Sequence, residues 1–259
     1  MIDIGINLTN KRFDKDRQLV INAAKQSGVK GLIITGTNLR ESEKALKLAK
    51  TDPEFLYCTA GIHPHDAKTC DQKSLQKLRQ IAEDPHVKAI GECGLDFNRN
   101  FSTAHEQEYA FIEQLELAID LQLPVFMHER DASTRLISLL KPYLAQLSNV
   151  VLHCFTGSKS ELNHYIELGL YIGITGWICD ERRGKTLLEI VKLIPDDRLM
   201  IETDAPYLLP RNMQEKPKSS RNEPKYLPYI AQTIANARGQ SVNELLINST
   251  RNSLLFFDL

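Results

Sequence analysis

Six side chains able to hold a cation or move a proton stand at or just beyond the ends of short apolar runs: Asn7, His63, Glu92, His128, His153 and Asp204. Glu92 lies in the stretch VKAIGECGLDFNRN (87–100), where an apolar strand breaks at Gly91-Glu92-Cys93-Gly94. The flanking glycines let other groups come close to the backbone. A carboxylate at the end of a buried strand is costly to keep charged unless a cation or hydrogen-bond donors sit beside it. Two imidazoles (His128, His153) and two carboxylates (Glu92, Asp204) form a ligand set suited to divalent metals such as Zn, Mn or Mg. Each residue alone has a plainer reading. A lone His at a strand end is usually a hydrogen-bonded loop residue, and Glu92 could cap a loop. Asp204 before Ala205-Pro206 could start a helix, and His63-Pro64-His65 could be a simple turn. Recurrence at successive strand ends favours one shared site over that many coincidences.

Strands are expected at 2–8, 31–35, 55–61, 87–92, 125–128, 150–153, 171–174 and 199–202, and helices at 14–27, 39–50, 71–83, 104–121, 132–143, 161–168, 185–193, 226–238 and 242–256. The strands are near-continuous apolar runs, as in a parallel sheet covered on both faces. Eight strands alternating with eight helices predict an α/β fold, a (β/α)8 TIM barrel with an extra C-terminal helix, in which residues 1–259 form a single domain. No G-x-G-x-x-G follows the first strand, which argues against an open dinucleotide-binding sheet. In a (β/α)8 barrel all strand carboxyl ends share one rim, so residues scattered along the chain converge there.

The apolar fraction of 42% and charged fraction of 25% suit a soluble protein with a large core. A formal net charge of -1 offers no global field for a polyanion, so any such site must be a local patch. The five cysteines (58, 70, 93, 154, 179) are scattered with no C-x-x-C pair, which points to a reducing compartment rather than disulfides or a structural zinc module. The N-terminal residues lack a secretory pattern and no apolar run could cross a bilayer, so a cytoplasmic, membrane-free protein is expected.

Several motifs carry a family resemblance: TAGIHPH (59–65), IGECGLD (90–96), PVFMH (124–128), HCFTG (153–157), GITG (173–176), ETDAPYL (202–208) and RNEP (221–224). In this order and across the whole chain they resemble the TatD-type metal-dependent deoxyribonucleases, within the wider amidohydrolase-like barrel enzymes. The resemblance implies a two-metal hydrolase of phosphodiester bonds, often a 3′→5′ exonuclease on single-stranded DNA or RNA. It implies that Glu92 bridges two metals, that His128 and His153 hold one and Asp204 the other, and that His63 contacts the scissile phosphate or the attacking water. Asp204 is then the choice for general base. One departure stands out. The family's first strand normally ends in His-x-His, and this chain has Gly5-Ile6-Asn7. Mg²⁺ could accept the Asn7 amide oxygen, whereas Zn²⁺ would lose imidazoles, so Mg²⁺ is expected in use, with Mn²⁺ or Zn²⁺ as alternatives and a weakened second site.

Substrate contacts are sought on the same rim. The segment 207–225 carries Arg211, Lys216, Lys218, Arg221 and Lys225 against Glu215 and Glu223, a local excess of +3. Arg182 and Arg183 follow the seventh strand. Such a crescent could follow a phosphate backbone, with Trp177 or Tyr207 stacking an unpaired base. The expectation is therefore a monomeric metal-dependent exonuclease acting on strand ends, with a role in DNA repair or nucleic-acid turnover. The rival is a small-molecule hydrolase on the same barrel, which needs the metals but not the basic segment.

Overall fold

The computed structural model describes residues 1–215 and 217–259. Its strands are β1 (Ile2–Ile6), β2 (Gly31–Ile34), β3 (Leu56–Ala60), β4 (Val87–Asp96), β5 (Val125–Arg130), β6 (Val150–Leu152), β7 (Tyr171–Ile174) and β8 (Leu199–Ile201). Hydrogen bonding joins them in chain order, β1 to β8, into one eight-stranded sheet. The α-helices are α1 (Arg17–Gln26), α2 (Leu39–Ala49), α3 (Gln72–Ala82), α4 (Ala104–Leu121), α5 (Ser133–Leu140), α6 (Lys159–Glu167), α7 (Lys185–Ile190), α8 (Leu227–Arg238) and α9 (Val242–Phe257). All eight expected strands and nine expected helices are present, α4 and β7 with the expected bounds and the others with shifted ends. Two compact units can be distinguished: Ile34–His153, and Met1–Ile33 together with Cys154–Leu259.

In the unit Ile34–His153, β3, β4, β5 and β6 pair in parallel. Apolar side chains on both faces of these strands, among them Ala60, Ile90, Phe126 and Met127, are fully buried. Helix starts here are set by side-chain caps: Asn38 accepts from the Glu41 amide, and Asp71 with Ser74 and Thr103 with Glu106 form capping boxes. The expected break at 91–94 is not a strand end. β4 runs on to Asp96, with its register against β5 shifting between Ile90 and Cys93. Gly91 and Gly94 take φ +140° and +137°, where a Cβ would lie 2.0 Å from the Phe126 and His128 carbonyl oxygens respectively. Gly91 lies at that irregularity and Gly94 pairs in register with His128; both let β5 come close against β4, and neither ends the strand.

In the other unit, β7 and β8 pair in parallel. β1 bridges to the chain just after β8: Asp204 N donates to Gly5 O and Asn7 N to Ala205 O, both at 2.8 Å, around a parallel Ile6–Ala205 bridge. Asp3, fully buried in β1, accepts from the Thr203 amide at 2.8 Å and from the Thr203 hydroxyl at 2.5 Å. Burial, countered by those bonds and reinforced by Glu202, pushes the Asp3 carboxyl up to about 7. The first expected helix starts late, because residues Lys11–Phe13 form a 3₁₀ turn capped by Asn10 before α1 begins at Arg17.

The Asp16 carboxylate does not cap α1, because it belongs to Arg221. Arg221 donates to Asp16 Oδ1 and Oδ2 (2.8 and 2.7 Å), to Glu223 Oε1 (2.8 Å) and to Arg12 O (2.6 Å). Arg221→Ala leaves these acceptors without their shared cation. A loss of about 2–3 kcal/mol is expected for this part-buried network. At ~2–4 °C per kcal/mol for a chain of this size, the melting temperature should fall by roughly 5–10 °C. A melt unchanged by the substitution, with KM for single strands raised instead, would mean that Arg221 serves substrate.

Candidate metal centre

Glu92 is the meeting point of three imidazoles, all within the unit Ile34–His153. Its Oε1 lies 2.8 Å from His153 Nε2, 3.0 Å from His128 Nδ1 and 3.3 Å from His63 Nε2. The ligand-capable atoms of His63, Glu92 and His128 all fall within 4.8 Å of one another. Glu92 and His128 stand within strands, and His63 and His153 just past the ends of theirs. Glu92 sits on β4 beside the Gly91 bulge, where its amide donates to Gly36 O at 2.7 Å. His128 is on β5, and the His153 amide, just past β6, donates to Met127 O at 2.9 Å. His63 follows β3 and opens the 3₁₀ turn Pro64–Thr69.

The proton positions follow from the bonds. His63 Nδ1 accepts from the His65 amide at 3.0 Å, so neutral His63 carries its proton on Nε2, facing Glu92. Burial lowers the His63 pKa, with Glu92 pulling the other way. Burial also opposes charge on Glu92, yet His153 and His63 and the bonds from His128 and His153 outweigh it and hold the carboxyl well below the usual range. For His128, Asp96 and Glu92 outweigh burial and raise the pKa. Asp96 Oδ2 is 3.6 Å from His128 Nε2, so it acts there through its charge and not as a hydrogen-bond acceptor.

That distance leaves a buried polar atom exposed to question. Among the described residues His128 Nε2 has no hydrogen-bond partner. A buried imidazole nitrogen without one loses its hydration uncompensated, whereas a divalent cation would take its lone pair. The donor set of imidazole nitrogens around a carboxylate oxygen fits a borderline divalent ion. The residues therefore fit a metal: His63, Glu92 and His128 are close enough to share one ion, and His153 Nε2 lies 2.8 Å from the same Glu92 oxygen.

Asp204 lies in the other unit. It follows β8 with φ +53°, and no helix begins there, so it is not a helix cap. Its Oδ1 accepts from Asn7 Nδ2 at 2.8 Å. Asn7 thus turns its amide nitrogen to Asp204, a neutral donor where the family pattern has His-x-His.

The candidate substrate residues are mostly engaged with neighbours in their own unit. Arg211 pairs with Glu181 (3.2 and 3.3 Å), Lys225 with Glu223 (2.8 Å), and Arg221 as described above. The expectation for Lys216 falls outside the described residues. Trp177 donates from Nε1 to Arg183 O at 3.2 Å, and the Arg183 guanidinium lies 4.2 Å over its ring. Tyr207 is 49% exposed.

Some positioning groups were not anticipated. Gln107 and Gln114, seven apart on the buried face of α4, each clamp a backbone unit. Gln114 bonds Ile62 N and O (2.7 and 3.0 Å), next to His63, and Gln107 bonds Asp96 N and O (2.8 and 3.1 Å). Asp96 in turn bonds His65 Nε2 at 2.8 Å. The signal in the sequence is an amide at two positions of an otherwise apolar helix face.

Eight parallel strands in chain order, alternating with helices and carrying imidazoles and a carboxylate on them or just beyond them, define a TIM-barrel hydrolase. The chain belongs to the TatD related DNase family, which it matches over residues 2–258. It is 54% identical over 259 residues, all of both chains, to the 3′-5′ ssDNA/RNA exonuclease TatD of Erwinia tasmaniensis. The protein of the same name from Escherichia fergusonii is 53% identical over 259 residues, 100% of this chain and 99% of that one. Among solved structures, a TatD family hydrolase from Entamoeba histolytica superposes with a TM-score of 0.91 at 29% identity, covering 99% of this chain and 97% of the other.

Proposed function

We propose that this chain is a metal-dependent exonuclease that removes nucleotides from the 3′ ends of single-stranded DNA and RNA. The carrying observation is the three-imidazole contact to one Glu92 oxygen with His128 Nε2 left unpartnered, in a chain half identical to proteins of that activity. Residues 1–259 act as one catalytic domain, monomeric and cytoplasmic, in DNA repair or nucleic-acid turnover.

Glu92, His128 and His153 hold the cation, Mg²⁺ in this reading with Mn²⁺ or Zn²⁺ as alternatives. The bound cation supplies a Lewis acid that polarises the phosphate and makes water easier to deprotonate. Glu92, kept ionised, fixes the three rings around one oxygen. His63, beside Glu92, contacts the scissile phosphate or the attacking water. Asp204, with the role its motif carries in the family, takes the proton of the attacking water. Any second metal, beside Asp204 and Asn7, is the weaker one because Asn7 adds only a neutral amide. Of the substrate residues, Arg211, Trp177 and the exposed Tyr207 remain the candidates to reach the strand; Arg221 is the least available.

End-labelled single strands incubated with chelator-treated protein and added Mg²⁺, Mn²⁺ or Zn²⁺ test the reading. A ladder shortening from the 3′ end with metal, and intact strands without it, is the expected result. Intact strands with every ion, alongside hydrolysis of small esters or phosphodiesters, would favour the smaller-substrate reading, to which the paired cations of 207–225 lend weight.

Metal binding should also depend on pH. His128 has a raised folded pKa, so in metal-free protein its contribution to stability is full below the unfolded value near 6.5 and is lost as pH rises through the folded one. A cation competes with that proton, so the rise in melting temperature on adding metal should grow as pH rises from the unfolded value through the higher folded one. A metal-induced rise that is flat across this window would contradict the assignment of His128 as a ligand.

A further inference from the structure

We infer that Phe101, on the loop between β4 and α4, is a stacking platform for the base of the nucleotide next to the scissile phosphate. The inference rests on the nuclease reading and names a contact for that same site. Phe101 is 59% exposed. Single exposed apolar residues are common on protein surfaces, so exposure alone says little. Here the ring is joined to the metal centre by an unbroken row of rings. Phe101 meets His65 edge to face at 4.8 Å (interplanar angle 87°), His65 meets His63 at 4.2 Å, and His63 meets His128 at 4.6 Å. His63 and His128 both contact Glu92.

The loop is also held firmly under an open ring. Asn98 and Arg99 amides donate to Asp96 Oδ1 (3.0 and 2.9 Å). Ser102 donates to His65 O (3.0 Å) and accepts from Lys68 N (3.1 Å), and its carbonyl accepts from Gln107 Nε2 (2.9 Å). Bonds between backbone and side chains thus fix the chain before and after Phe101 while the ring stays largely exposed. The Lys68 ammonium lies 3.5 Å from the Phe101 carbonyl, a cation beside the platform for an adjoining phosphate. A phenyl face and a cation within ring contact of a metal centre suit an unpaired base and its backbone. Because every base has a π-face, the platform would not select sequence; it would select strands whose bases are unpaired.

Steady-state cleavage of single strands by Phe101→Ala, Phe101→Leu and Phe101→Trp tests this. Stacking of one base predicts a roughly tenfold rise in KM for Ala and Leu, little change in kcat, and near wild-type behaviour for Trp. Substrates with an abasic residue at the terminal or the penultimate position should, at one of the two, raise KM for the wild type and abolish the difference between wild type and Phe101→Ala. Quenching of 2-aminopurine placed at that position, measured on a Glu92→Ala background, should vanish when Phe101→Ala is added. Equal KM for wild type, Ala and Leu overturns the platform, as does a penalty that persists on both abasic substrates. A protein that quenches through Phe101 yet cuts no strand supports the platform and overturns the nuclease reading. One that neither cuts nor quenches overturns both.

Discussion

Glu92→Ala should reduce strand cleavage by about a thousandfold, equivalent to about 4 kcal/mol of transition-state stabilisation supplied through a bound cation. The substitution removes the oxygen approached by three imidazoles at 2.8, 3.0 and 3.3 Å. It withdraws the carboxylate ligand and also the anion that keeps the rings converged. Glu92→Gln keeps the shape and removes the charge, so it should fold normally and lose activity nearly as completely. Both variants should show little metal-induced rise in melting temperature. Their own stability should be most sensitive at neutral pH. A carboxyl with a depressed folded pKa stabilises above its unfolded value, and that contribution is lost only as pH falls through the folded one. Cleavage by Glu92→Ala within about tenfold of wild type would remove Glu92 from the reaction.

Gly91→Ala should be strongly damaging, costing about 4 kcal/mol or more through overpacking added to a backbone strain that alone costs ~1–2. Its added carbon would lie 2.0 Å from Phe126 O in a residue held at φ +140°, and Gly61 packs against the same backbone. The neighbouring strands cannot yield without moving Glu92 on one side and His128 on the other. Gly169→Ala is the natural control. It also has a left-handed φ, +78°, but nothing lies within 4 Å of the added carbon, so only the backbone term of about 1 kcal/mol applies. Thermal unfolding of the two variants side by side separates the effects. If Gly91→Ala melts no lower than Gly169→Ala, the close approach of β5 is not what the glycine serves.

The alternation of strands and helices was readable from apolar runs and helical spacing, and so were Glu92, His63, His128 and His153. A charged or imidazole group immediately after an apolar run is a local pattern that needs no knowledge of partners. What escaped was whatever depended on distant partners. Gly91 and Gly94 read as a strand terminus because glycine usually weakens a strand, yet pairing with β5 carries β4 through to Asp96. Arg221 read as a phosphate contact because Asp16, its partner, is 205 residues away in sequence. Asn7 read as a weak metal ligand, whereas its amide nitrogen bonds Asp204, 197 residues on. Gln107 and Gln114 clamp backbone at the end of β4 and just after β3, which only the folded chain brings beside α4.

The bridge between β1 and the residues after β8 bears on how the protein is made. Asp3 and Thr203 are 200 residues apart, and the Gly5 and Asn7 bonds to Asp204 and Ala205 span a similar stretch. A ribosome adding ~5–20 residues per second needs on the order of 10–40 s to cover that distance. Over that interval the first strand waits for its partner after β8, while the segment that carries Glu92, His128 and His153 is synthesised ahead of Thr203 and can begin its own pairings first.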